Sequence, residues 1–221
     1  MKSGTKQLLL ISLLSCTVGS HAAEISTGLE AGYNNGPALF FSGTAARFSR
    51  DLDLSARLGM GFTWLNPGNA ADARRLFIND ATDGSPEKGG GAFNIRFDLL
   101  YPLRVPGVTE SYFYTGPRFS HFSGQFKYVG GNEEFNVTSS NWGFGLGMQI
   151  LAPVSSKTAV VFDAGSDYFP PAALSGHDTS YAPDGDHVNA RKNYTYKDAD
   201  NAIRQPKYGL RLMIGLVTRL H

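Results

Sequence analysis

His121-Phe122-Ser123 sets an imidazole and a hydroxyl two residues apart. In an extended chain that spacing turns both side chains to one face, where a histidine and a serine can serve as base and nucleophile on an acyl ester. Such a pair works well only if an acid orients the histidine. Were Gly130-Gly131 the two-residue tip of a hairpin, His121 would face Ser140 and Ser123 would face Thr138. The nearest acid on that face, Glu134, then lies four residues past Thr138, roughly 13 Å away at the usual strand rise. The competing reading is an interfacial His and Ser with no catalytic role.

Two other sets of residues carry charge in a pattern. Glu30 and Asp163 share strand faces with glycine, as do Arg57, Arg118 and Arg211; Arg96 and Asp98 share one with Asn94 and Leu100, and Arg47 joins the set if it points inward. Paired inside a protein, these make an arginine and carboxylate ladder; if the partners could exchange, they would line a narrow gated channel. Farther along, His177, Asp178, Asp184, Asp186 and His187 could ligate a metal, but their spacing matches neither a calcium-binding loop nor a zinc site. A solvated polar loop, with no metal and no cofactor, is therefore expected there. Tyr181, Tyr194 and Tyr196 in the same stretch are contact residues of the kind enriched at binding surfaces.

The elements that would hold these residues follow from a period of two. From Tyr208 to Leu220, Tyr208, Leu210, Leu212, Ile214 and Leu216 fall on one side of a strand, while Gly209, Arg211, Met213 and Gly215 fall on the other. Leu52 to Trp64 repeats the pattern, with Leu58, Met60, Phe62 and Trp64 opposite Arg57, Gly59, Gly61 and Thr63. Comparable alternation marks 25–33, 93–101, 142–150 and 160–168, the last setting Asp163 and Asp167 beside Gly165. The segment 38–49 is ambiguous; placing Arg47 inward sends Phe40, Ala46 and Phe48 outward. The hairpin register pairs Tyr128 with Glu133, Phe126 with Phe135, Phe119 with Trp142 and Arg118 with Gly143.

Eight strands result, an even number that lets an antiparallel sheet close into an up-and-down barrel. Connections near 49–51, 103–110 and 153–157 are short; those at 65–90 and 170–206 are long and lie at the opposite end. Short turns at one end and long loops at the other are the membrane-barrel pattern. A soluble barrel would turn its polar face outward, but here charge and glycine share the face that a narrow interior requires. Tyr33, Trp64, Tyr101, Trp142, Tyr168 and Tyr208 are then placed to form aromatic girdles.

Lys2 and Lys6 before the apolar run Leu8 to Leu14, with small residues at Ser20 to Ala23, predict a signal peptide over 1–23 and a barrel domain over 24–221. Cys16 lies inside that leader and loosely fits a lipoprotein cleavage box, or is simply a small hydrophobe; without it the remaining chain has no cysteine for a disulfide or a thiolate. Loss of the leader changes the formal charge from +1 to −1 through Lys2 and Lys6. A near-neutral chain has no electrostatic footprint for nucleic acid. Glycine, at 26 residues, and aromatics, at 12%, suit curved strands with aromatic girdles.

With its leader, its eight alternating strands and the closing strand Tyr208 to Leu220, the chain resembles the small outer-membrane barrels of the OmpA transmembrane domain, OmpX and opacity-protein type. Family members often end in Phe, whereas this chain ends Leu220-His221. The resemblance implies a monomer in a Gram-negative outer membrane, in contact with lipid and lipopolysaccharide. It also implies a structural or surface-interaction role, with loops 65–90 and 170–206 as the places to seek a partner. His121 and Ser123 are similar to the His-x-Ser pair of PagL-type lipid A deacylases, which implies the alternative of an esterase on the outer wall.

Overall fold

A computed structural model describes residues 24–46 and 53–220. The expected leader, Arg47, Phe48, Leu52 and His221 lie outside the described residues. The strands are β1 (Glu24–Asn34), β2 (Pro37–Ala46), β3 (Ser55–Trp64), β4 (Ser85–Pro102), β5 (Glu110–Val129), β6 (Glu133–Pro153), β7 (Thr158–Tyr168), β8 (Leu174–Gly176), β9 (Thr179–Tyr181) and β10 (Tyr208–Arg219). Helices α1 (Ala70–Phe77) and α2 (Tyr196–Ala202) sit within the two long connections. Strands β1 to β7 and β10 pair antiparallel in a ring, β5 meeting β6 on one side of the seam and β10 joining β1 on the other. The fold is a closed eight-stranded antiparallel barrel. No helix among the described residues is long and apolar enough to cross a membrane.

Alternation decides which side chain goes where. Leu29, Leu58, Leu146, Leu212 and Leu216 stand exposed on the outer wall, while Glu30, Arg57, Arg96, Asp98, Arg118, Asp163 and Arg211 are buried inside. Such an apolar belt, continuous around the barrel, far exceeds the scattered apolar residues of an ordinary aqueous surface. In β2 the parity is opposite to the expected one: Phe40 is 2% exposed and Phe41 is 51% exposed. Phe40 is retained inside because it fills the space beside Gly61 and lies 5.0 Å beneath the Arg96 guanidinium, a cation–π contact.

The β5–β6 register is the one expected, from Tyr128 opposite Glu133 down to Arg118 opposite Gly143. Tyr128 and Glu133 are the last pair, so the turn is centred on Gly130-Gly131, as expected, with Gly130 at a φ of 86° and Asn132 at a left-handed φ of 53°. Interior glycines make room for long polar neighbours. A Cβ at Gly59 would lie 2.7 Å from Arg96 Nε, so Gly59→Val is expected to displace Arg96 from Glu30. Overpacking of this kind costs about 1–3 kcal/mol; urea titration of the folded, heat-modifiable band in detergent should show the lower midpoint.

The long connections are more structured than a solvated loop. Strand β4 begins at Ser85, inside the stretch expected to be loop, and β4, β5 and β6 rise together as a high wall. Against the inner face of that wall pack α1, α2 and the β8–β9 hairpin. Together they form an apolar cap core that includes Leu76, Phe77, Phe122, Phe126, Val137, Leu174, Tyr181 and Ile203. Asn69 caps α1 by accepting from Ala71 N, and Thr195 with Asp198 forms a capping box on α2.

Candidate functional site

Three regions could carry chemistry: the barrel interior, the outward His–Ser pair and the cap. Inside, the parity of the strands brings the predicted charges together. Arg57 donates through Nε to Asp98 Oδ2 at 2.9 Å and through Nη1 to Gln149 at 2.5 Å, and its Nη1 lies 3.2 Å from Asp163. Arg96 meets Glu30 at 2.6 Å. Arg118 bridges Asp98 at 2.7 Å and Asp167 at 2.8 Å. Arg211 donates to Asp163 at 3.1 Å, to Asp167 at 2.5 Å and to the Tyr114 hydroxyl at 2.8 Å, and that hydroxyl donates in turn to Asp163 at 2.7 Å.

Among the described residues, Arg57, Arg96, Arg118 and Arg211 thus balance Glu30, Asp98, Asp163 and Asp167 in one buried, net-neutral network. Asp167 and Tyr114 belong to it although the expected interior set includes neither. Asp167 follows Asp163 by four on the same strand face, and Tyr114 falls opposite Gly147, an aromatic over a glycine. Both signals are present in the sequence. Packing by long side chains across an eight-stranded interior leaves little room for a conducting path, which disfavours the gated channel.

On the outer wall His121 faces Ser140 and Ser123 faces Thr138, as the register requires. The His121 Nδ1 hydrogen bond is to Ser140 Oγ, at 2.8 Å, and Ser123 takes no part in it. Glu134 is engaged by Gln125, which donates at 2.6 Å. No carboxylate among the described residues pairs with His121. The base lacks the orienting acid that activates such a pair, so the geometry favours the interfacial reading over the esterase.

The six aromatics are all exposed on the outer wall. Tyr33, Trp64, Trp142, Tyr168 and Tyr208 cluster toward the long-loop end, where the Tyr168 and Tyr208 rings lie 5.0 Å apart and Trp142 is 5.2 Å from Phe119. Tyr101 stands at the short-turn end, near the close of β4.

In the cap the sequence reading needs correction. Tyr181 is 0% exposed: it packs edge-on against Phe77 at 5.5 Å and donates to Leu76 O at 3.0 Å, while Tyr194 and Tyr196 pack against the same core. Tyr181 is therefore a core residue of the cap and not a contact residue, while Tyr194 and Tyr196 are only partly buried against it. His177 pairs with Asp178, and His187 accepts from Ala182 N. Fastening of the cap to the wall falls to Arg74. It lies 2.5 Å from Glu133, 3.0 Å from Asp83 and 4.4 Å over the Tyr128 ring. Within the cap, a further ion pair joins Arg191 to Asp80.

Hydrogen bonding from Arg74 holds the Glu133 carboxyl below its ordinary range, and Arg191 does the same for Asp80. With folded values depressed, these pairs stabilise the cap fully above the unfolded carboxylate range and lose that contribution as pH falls through the folded values. Amide exchange, corrected for its intrinsic pH dependence, should therefore show α1 losing protection below about pH 4 while β10 keeps it.

The fold and interior define a closed barrel with a charged plug, an apolar outer belt and a folded cap. No family model matches the sequence, and no curated protein does. Among solved structures, the chain is similar to a major outer membrane protein from Thermus thermophilus, at 24% identity over 90% of this chain and 100% of that one, with a TM-score of 0.73. Neisserial surface protein A matches at 10% identity over 89% of this chain and 96% of that one, with a TM-score of 0.41. The Thermus likeness concerns the fold.

Proposed function

We propose that this chain is an integral outer-membrane β-barrel of a Gram-negative bacterium, exported by a cleaved leader over 1–23. It is a monomer of the OmpA, OmpX and opacity-protein type, with a structural or surface-interaction role and no cofactor. The observation that carries the reading is the division of the wall: a continuous apolar belt outside and a neutralised, fully buried charge network inside. A closed barrel satisfies every backbone group without water, which makes such a belt tolerable in lipid. The Thermus neighbour, described as an outer membrane protein, supports the location. Lipid and lipopolysaccharide are the partners of the belt and girdles, and the cap built from 65–84 and 170–206 is what the cell would present outward.

Fractionation followed by unheated and heated gel migration tests the reading. The protein should sediment with the outer membrane and migrate faster unheated; recovery from the soluble periplasm would sink it. Purified protein in planar bilayers should give no conductance steps, because the plug fills the lumen.

A further inference from the structure

A cavity at the low rim of the barrel belongs to neither the plug nor the cap core. The wall is uneven: β4 to β6 rise high, whereas β1 and β2 are joined by a turn of only Asn35 and Gly36. Between that low rim and the segment that returns from the cap to β10 lies a space of about 390 Å³. Its size falls within the ~300–1,000 Å³ of small-molecule sites.

Its lining is mostly apolar, and the charges that border it are of one sign. Arg204 and Lys207 border it, and no aspartate or glutamate does. Lys207 is held by Asp200 at 2.5 Å, but the Arg204 guanidinium has no partner among the described residues. Two buried amides contribute acceptors. Asn94 spends its NH2 on Thr63 Oγ1 at 3.2 Å and Ala92 O at 3.0 Å, and Gln205 spends its own on Tyr196 at 3.0 Å and Asp200 at 3.0 Å. Neither side-chain carbonyl accepts from a protein donor among the described residues, although both amides line the cavity. A carbonyl that faces the cavity can accept a hydroxyl or N–H from a ligand in place of water. Asn34 also donates to Thr63, at 3.1 Å, which holds the floor in place. Phe169 supplies aromatic surface at the edge.

Acceptors for hydroxyls, an unpaired guanidinium for an anion, and one aromatic flank converge on one chemistry. We infer that the mouth cavity binds a phosphorylated sugar, the phosphate on Arg204 and ring hydroxyls on Asn94 and Gln205. This rests on the surface-interaction reading and gives it a ligand class. Such a group has two sources at this height on the barrel: the sugar phosphate of a lipopolysaccharide headgroup, or a soluble sugar phosphate.

The test is calorimetric titration of the intact, folded protein in detergent with glucose 6-phosphate, glucose and inorganic phosphate. Glucose 6-phosphate should bind saturably and at least about tenfold more tightly than either fragment. Arg204→Gln should remove the advantage over glucose. Gly209→Phe should abolish binding by filling the cavity, since a Cβ there meets nothing closer than 3.6 Å and the backbone tolerates a side chain. Both variants should keep heat-modifiable migration, so that loss of binding is separable from failure of the barrel reading. Absence of saturable heat, or unchanged affinity in Gly209→Phe, overturns the site. Repeating the titration in nanodiscs names the source: binding lost with lipopolysaccharide but kept in phosphatidylcholine marks the headgroup, and binding kept in both marks the soluble ligand.

Discussion

Asp163→Ala is expected to be the most damaging single substitution in the barrel, destabilising it by about 3–5 kcal/mol, because it strips partners from buried charges that have no water to turn to. Asp163 accepts from Arg211 at 3.1 Å and from Tyr114 at 2.7 Å, and lies 3.2 Å from Arg57. Removing it leaves three carboxylates facing four guanidiniums in the described network. The measurement is reversible unfolding in detergent or lipid vesicles, read by the folded gel band. A double variant, Asp163→Asn with Arg211→Met, should recover part of the loss by restoring neutrality. If Asp163→Ala unfolds at the same denaturant concentration as the parent, the plug does not hold the barrel together.

Tyr181→Ala should act on the cap and spare the barrel. Its ring packs on Phe77, its hydroxyl donates to Leu76 O and also accepts from Arg191 N at 3.3 Å, so truncation opens a cavity at the meeting point of α1, β9 and the loop beyond. Loss of a large buried aromatic costs about 3–5 kcal/mol. Cap and barrel share little beyond the β4–β6 wall, so that cost should appear as local opening. Limited proteolysis of whole cells or vesicles should cut within 70–84 or 182–195 in Tyr181→Ala and leave a protected barrel fragment. Resistance equal to the parent would show that the cap does not depend on this core.

Most of the barrel was legible because a strand has a period of two and each face meets a different medium. Leu58 and Arg57 differ by one position and by the whole thickness of the wall. The β5–β6 register was legible too, since Lys127 opposite Glu134 and Arg118 opposite Gly143 make chemical sense only in that alignment. Strand β2 defeated the same reasoning. Ala38-Leu39-Phe40-Phe41 is apolar at every position, so alternation carries no signal there. Phe40 faces inward because Arg96, from a strand two places away in the ring, needs a ring beneath it.

The cap shows the same limit more strongly. Residues 65–84 and 170–206 lack a regular period, and their polar composition reads as solvent-exposed loop. Apolar residues such as Leu76, Phe77, Leu174 and Tyr181 are spread over more than a hundred positions, and each short element exposes too little surface to fold by itself. What joins them is the inner face of the β4–β6 wall, where Phe122, Phe126 and Val137 stand above the rim with no lipid to face. The sequence by itself therefore determined the barrel, its two faces and the inward charges, because local alternation suffices to sort side chains between two media. Tertiary structure alone decided how those charges pair into a neutral plug, that the loops close into a cap, and that Arg204, Asn94 and Gln205 converge on one cavity, because each depends on contacts between residues that no short-range pattern relates.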